Sequence, residues 1–294
     1  MPATDAELEY EVVDVFTETA YTGNPLAVVL GADGLSDDAL QAVAREFQLS
    51  ETVFPMPGPD GADYHLRIFT PSVELPFAGH PSVGAAWVLA RRELIAPGRV
   101  VQSCGAGLLP LSVEPGGGPV TLTGGTPWVG PELLSQQIVT AAGLRPQDLL
   151  GSVRLAGCGL TLGFLQVRGS ALERVQIDVP ALRRTMPVHE RFGGLCVFTW
   201  DGAAARSRVF AYDVGVHEDP ATGSAALGLG VFLVAAELLP GEGSTAYDIV
   251  QGVEMGRPSR LSCVVEAADG QAVSVRVTGS VVPVARGWIR PPTR

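Results

Sequence analysis

Four side chains in this sequence are of types that could move a proton on a small organic acid: Glu51, His80, Asp219 and Ser224. Glu51 opens the run Leu49-Ser50-Glu51-Thr52-Val53-Phe54. His80 lies in the turn Phe77-Ala78-Gly79-His80-Pro81-Ser82, and Asp219 and Ser224 lie in Glu218-Asp219-Pro220-Ala221-Thr222-Gly223-Ser224-Ala225. A carboxylate becomes a general base toward an acidic C–H when burial or a like-charged neighbour raises its pKa toward neutrality. An imidazole titrates near physiological pH and can hold or pass a proton. Each residue also has a plainer reading. Glu51 would be an exposed carboxylate, His80 a hydrogen-bonder at a helix start, and Asp219 or Ser224 an ordinary N-cap.

The elements around these residues leave the chemical reading open beside the plainer one. Residues 83–90 and 226–236 are almost wholly apolar. A helix apolar on all sides must be enclosed, so each of these segments is expected to run through a sheet-rich domain. The first N–H groups of a helix lack intrahelical partners and its dipole favours negative charge there, so each start could receive a carboxylate or an enolate. If the two starts face each other across a domain cleft, Glu51, His80, Asp219 and Ser224 gather where small molecules usually bind.

Along the chain, residues 10–16 and 26–30 read as strands joined by a turn at Thr22-Gly23-Asn24-Pro25. Ser36 opens a helix with Asp37 and Asp38 in its first turn and Leu40, Val43, Ala44 and Phe47 at helical spacing, ending near Gln48. Residues 64–70 alternate as a half-buried strand. The second half repeats the outline, with strands expected at 121–122, 162–167, 195–200 and 208–212 before the helix from Ser224. A helix is expected at 131–143, loops at 241–246 and 251–259, and closing strands at 261–266, 272–278 and 280–284. The expected division is a first domain at 1–125 and a second at 126–294, with the last strand free to cross back, split in the Gly/Pro-rich stretch Gly124-Gly125-Thr126-Pro127.

Composition removes several classes of chemistry. The chain has 294 residues, 46% of them hydrophobic and 17% charged, as in compact globular proteins. A net charge of -11 argues against nucleic acid or anionic membrane as partners. Every basic side chain is Arg, which excludes a lysine Schiff base, a pyridoxal phosphate anchor and a Walker-type loop. Asn24 is the sole asparagine, which by itself reads as composition. The four cysteines stand far apart with no CxxC, so a zinc site is not expected, and Cys104-Gly105-Ala106-Gly107 reads as a buried structural thiol rather than a nucleophile loop. No dinucleotide fingerprint, HExxH or GxSxG appears, so no cofactor and no metal are expected. His65, His189 and His217 read as structural or surface residues. With no apolar signal region and no apolar run long enough to span a bilayer, the expected location is the cytoplasm.

Taken together, Gly23-Asn24-Pro25-Leu26-Ala27-Val28-Val29, Leu49-Ser50-Glu51-Thr52-Val53-Phe54, Arg67-Ile68-Phe69-Thr70-Pro71, Gly79-His80-Pro81, Glu218 to Ala225 and Gln251-Gly252-Val253-Glu254-Met255-Gly256-Arg257-Pro258-Ser259 resemble the PhzF family of phenazine-biosynthesis isomerase-like proteins. The resemblance implies a diaminopimelate-epimerase-like α+β fold of two similar domains, each a mixed sheet wrapped around a central buried helix. It also implies a homodimer. Racemases of this fold use two opposed cysteines at the helix starts, and neither turn here contains one, so two-thiol racemisation is not expected. The family pattern implies instead a glutamate that shifts a proton on an amino-hydroxy cyclohexadiene carboxylate. That glutamate matches Glu51, with His80, Asp219 and Ser224 as its partners. The flanking motif residues Ser50, Gly79, Pro81, Thr222, Gly223, Gln251 and Gly252 are then the expected substrate contacts. Gln48 and Ser82 stand where many relatives have Asn and Thr, and they bear on substrate identity rather than fold. A non-catalytic carboxylate-binding protein and a thiol-independent epimerase are the alternative functions.

Overall fold

The computed structural model describes residues 7–186, 192–212 and 215–292. Two compact units emerge, one of 1–122 with 278–294 and one of 123–277.

In the first unit, strand Leu8–Val15 pairs antiparallel with both Asn24–Val29 and the closing strand Val281–Ile289. The turn expected at 22–25 is displaced, because Asn24 and Pro25 already pair with Val15 and Asp14 and the reversal occupies 16–23. Asn24–Val29 then runs parallel to Glu51–Pro57, and parallel neighbours need a crossover. The crossover is helix Asp37–Phe47, whose Ser36 accepts a bond from the Ala39 N–H and which ends at Gln48 in the left-handed region. Glu51–Pro57 forms a hairpin with Tyr64–Phe69, which pairs antiparallel with Glu74–Leu75 and parallel with Gly98–Cys104. Between these last two runs the first central helix, Gly79–Arg91, buried at every residue from Gly79 to Leu89. A Cβ at Gly84 would stand 2.5 Å from Leu26 Cδ2 and 2.9 Å from Val15 Cγ2, so glycine is what lets this helix lie against the sheet.

The second unit repeats this order. Hairpin Arg154–Gly157 and Thr161–Gln166 leads by a parallel crossover to Phe192–Trp200, and a further hairpin leads to Ala204–Ala211. Short antiparallel Val216–Asp219 follows, then the second central helix Gly223–Ala235, then Gly243–Gln251 parallel to Ala204–Ala211. Two expectations for this half need correction. Residues 131–143 are not one helix: Trp128–Glu132 is a strand paired with Arg154–Gly157, and the helix is only Ser135–Ala141. Pro131 closes a strand here rather than opening a helix, a tertiary pairing that local propensity does not register. Residues 243–246 are not loop but the start of the nine-residue strand Gly243–Gln251, which pairs throughout with Ser259–Ala268. In the first unit the hairpin Gly98–Cys104 and Gly107–Val113 has no counterpart among the expected strands, and its tight turn is the Cys104 to Gly107 segment.

The fold class is the expected one: two similar α+β units, each a mixed sheet around one enclosed helix.

Candidate functional site

The first unit concentrates its chemistry at the start of its central helix. Ala78 is the N-cap residue and supplies no side-chain cap. His80 and Pro81 follow within the first turn, where a proline costs nothing because that N–H has no intrahelical acceptor. His80 is 3% exposed, and burial pushes its imidazole down to about 3, so the ring is neutral at physiological pH. Its Nε2 lies 3.5 Å from Glu51 Oε2. Glu51 begins its strand opposite Leu26 and is 8% exposed, which corrects the plain reading of an exposed carboxylate. On the other side of the ring, Nδ1 lies 3.1 Å from the Asn24 amide nitrogen. Asn24 Oδ1 in turn accepts from the Ser50 hydroxyl at 3.1 Å.

Beneath this helix start lies a buried polar chain. The Tyr64 hydroxyl donates to Gln102 Oε1 at 2.9 Å, Gln102 Nε2 donates to Ser82 Oγ at 3.0 Å, and the Ser82 hydroxyl donates to the Ala78 carbonyl at 2.9 Å. Buried polar groups that are satisfied in series hold one geometry, and here they hold the turn that carries His80.

In the second unit the helix start is built differently. Its N-cap is Thr222, whose side chain makes no cap bond, and not Asp219 or Ser224 as expected of an ordinary cap. Asp219 instead ends the preceding strand, and its Oδ2 accepts a hydrogen bond from the Thr222 hydroxyl. Gln251 Nε2 donates to that same Thr222 oxygen at 2.9 Å and to the Asp219 carbonyl at 2.7 Å, while the Thr222 N–H donates to Gln251 Oε1 at 3.3 Å. Gly252 has a φ of +76°, and a Cβ there would lie 2.6 Å from the Pro220 carbonyl oxygen. Ser259 donates to that carbonyl at 2.8 Å. Gly223 and Ser224 fill the first two helical positions and are buried. Thus Asp219, Thr222, Gln251 and Gly252 are brought together around one turn.

Each unit therefore sends a buried glutamine, Gln102 or Gln251, from the strand after its central helix back to that helix's start. Neither Asn24 nor Gln102 is singled out as a site residue by sequence reasoning. The one available signal was that the sole asparagine stands in the Gly23-Asn24-Pro25 motif.

The thiols take no part in either turn. Cys104, Cys158, Cys196 and Cys263 are all free and buried. Burial pushes Cys158 up to about 12 and Cys196 and Cys263 higher still, the reverse of a reactive thiolate. His65 faces Ser103 Oγ at 3.2 Å and His217 is exposed, both as expected, while His189 lies outside the described residues. No helix among the described residues is long and apolar enough to cross a membrane.

Comparison with known proteins adds to this geometry. The family model for phenazine biosynthesis-like proteins, PhzC-PhzF, matches residues 13–287. The trans-2,3-dihydro-3-hydroxyanthranilate isomerase of Pseudomonas aeruginosa is 32% identical, covering 95% of this chain and 98% of its own length. An uncharacterized isomerase of Mesorhizobium japonicum is 34% identical over 95% of this chain and 97% of its own length. The solved structure of a predicted epimerase from Pseudomonas aeruginosa superposes with a TM-score of 0.80 at 33% identity, covering 96% of this chain and 99% of that one. These relatives agree with an enzyme of the isomerase class. This chain belongs to the phenazine biosynthesis-like, PhzC-PhzF, family.

Proposed function

We propose that this protein is a cofactor-independent isomerase that moves a proton on a small cyclic or unsaturated carboxylate, of the dihydro-hydroxyanthranilate type, with Glu51 as general acid and base. The observation that carries this reading is the buried Glu51 carboxylate 3.5 Å from the Nε2 of a neutral, buried His80. A neutral imidazole does not neutralise the carboxylate as an imidazolium would. In the reaction, Glu51 removes a proton from a ring carbon, the electron pair moves through the conjugated double bonds, and the protonated Glu51 returns the same proton to another carbon on that face. Atoms and charge balance without any added reagent. Asp219 and Ser224 belong to the same proposal as substrate-handling residues, and a cytoplasmic homodimer is its proposed setting.

Two findings support the assignment over thiol chemistry. The cysteines are all buried, burial raising the pKa of Cys158, Cys196 and Cys263, and the relatives include a named dihydro-hydroxyanthranilate isomerase. The test is Glu51→Gln, assayed with trans-2,3-dihydro-3-hydroxyanthranilate in heavy water. Turnover should fall by at least the ~10²- to 10⁴-fold typical of a lost general base, with substrate affinity within about threefold of wild type. Near-wild-type turnover in the variant would remove Glu51 from the mechanism. Tight binding by the wild type with no exchange on any ring or amino-acid carboxylate would favour a binding protein, and inversion at one carbon would favour an epimerase.

A further inference from the structure

We infer that Asn24 and Ser50 are positioning residues which fix His80 as the Nε2–H tautomer, with that proton directed at Glu51. The inference rests on the proposed function for its chemical purpose, but the tautomer itself is a property of the resting protein.

With the Asn24 amide oriented as it stands in the structure, the hydrogen-bond directions follow one another. A serine hydroxyl and an amide oxygen meet at 3.1 Å, so Ser50 donates and Asn24 Oδ1 accepts. That commits the Asn24 amide nitrogen, which can only donate, to His80 Nδ1 at 3.1 Å. Nδ1 is therefore the unprotonated, accepting nitrogen. In a neutral ring the single proton must then sit on Nε2, the atom 3.5 Å from Glu51 Oε2. The chain Ser50 to Asn24 to His80 thus runs donor to acceptor and leaves the Nε2 proton on the side of Glu51. It joins residues 26 and 56 positions apart in sequence.

The burial of Asn24 strengthens this reading. It is fully buried at the first residue of its strand, where asparagine is a poor strand former and an unsatisfied amide would be costly. An aliphatic residue would pack there without that demand. A sole asparagine held at such a position by two side-chain bonds is explained by what those bonds set. The consequence for the reaction is that His80 presents an N–H on the side of Glu51 and cannot take a proton from it at Nε2. The abstracted proton stays on the carboxylate for return to substrate.

The experiment uses the full-length protein without substrate. Histidine labelled with ¹⁵N reports which ring nitrogen carries the proton, and His80→Gln identifies the His80 resonances among the four histidines. Asparagine labelled with ¹⁵N yields a single side-chain amide pair, because Asn24 is the only one. At neutral pH the wild type should show protonated Nε2 and bare Nδ1. Asn24→Asp, which replaces the donor with an acceptor, should move the proton to Nδ1 and reduce turnover ~10²- to 10⁴-fold, the range of a general acid–base contribution. Ser50→Ala should shift the Asn24 amide resonances and cost about tenfold in turnover, with Ser50→Thr restoring both. A wild-type ring protonated at Nδ1, or an unchanged ring in Asn24→Asp, would overturn the inference. If Asn24→Asp does not fold, the Ser50 pair decides: unchanged amide resonances and turnover in Ser50→Ala overturn it. An Nε2–H ring in a protein that turns over no candidate substrate sinks the isomerase proposal and leaves this one standing.

Discussion

His80 links the stability of the fold to pH, and the size of the link follows from its burial. Burial lowers the imidazole from 6.5 to about 3 in the folded protein, while the unfolded chain keeps the ordinary value. Between these two pH values the unfolded state binds a proton that the folded state does not, so stability is present above about pH 6.5 and is lost as pH falls toward 3. Each pH unit inside the window costs ~1.4 kcal/mol, giving roughly 2 kcal/mol by pH 5 and ~5 kcal/mol across the whole window. Urea unfolding of wild type and His80→Gln at pH 8 and pH 5 isolates the term. His80→Gln will be less stable at pH 8, but its loss on going to pH 5 should be smaller than the wild type's by about 2 kcal/mol. The remaining histidines and the surface carboxylates are common to both proteins and cancel. Repeating the pair in a Glu51→Gln background removes the titration of that neighbour. Parallel pH dependence of wild type and variant, in both backgrounds, would refute the view that the folded protein holds His80 neutral.

Two further predictions concern the second helix start. Asp219→Asn keeps the shape but weakens the acceptor of the Thr222 hydroxyl, so turnover or substrate affinity should fall at least tenfold with little change in melting temperature; unchanged kinetics would make Asp219 a local turn residue only. Gly252→Ala forces a side chain into a left-handed backbone and against the Pro220 carbonyl, which should cost ~1–3 kcal/mol in denaturant unfolding and displace the Asp219 to Thr222 turn, whereas an unaltered midpoint would show that the turn has room to spare.

What the amino-acid order reveals depends on how local the cause is. The helix Asp37–Phe47 is legible from its own residues, since Ser36, two aspartates and a 3–4 spacing of apolar side chains act within one or two turns. The two central helices are legible because a segment apolar on every side has only one place to go. The strand Trp128–Glu132 is not, because Gly130 and Pro131 form it only through pairing with Arg154–Gly157. Glu51 is recognisable as a candidate, but its burial is not, because Leu26 and His80, which lie beside it, come from elsewhere in the chain. The same holds for Gln251, which could be named from a motif while its bonds to Thr222 and the Asp219 carbonyl, 29 and 32 positions away, could not.

The duplicated scaffold explains where the chemistry sits and why the two halves differ. In both units a parallel crossover, a hairpin and a short strand deliver the chain to an enclosed helix, so both helix starts are rigid for the same reasons of packing. What the scaffold does not fix is the second helical residue, which is His80 in one unit and Ser224 in the other. An imidazole facing a buried carboxylate is equipped to keep a proton in play, whereas a serine near an aspartate held by threonine and glutamine is equipped to donate and accept hydrogen bonds. A two-thiol racemase needs matching proton carriers at matching positions. This chain places unlike groups, His80 and Ser224, at the two second helical positions, and the proposal that one carboxylate both takes and returns the proton asks for no matched pair there.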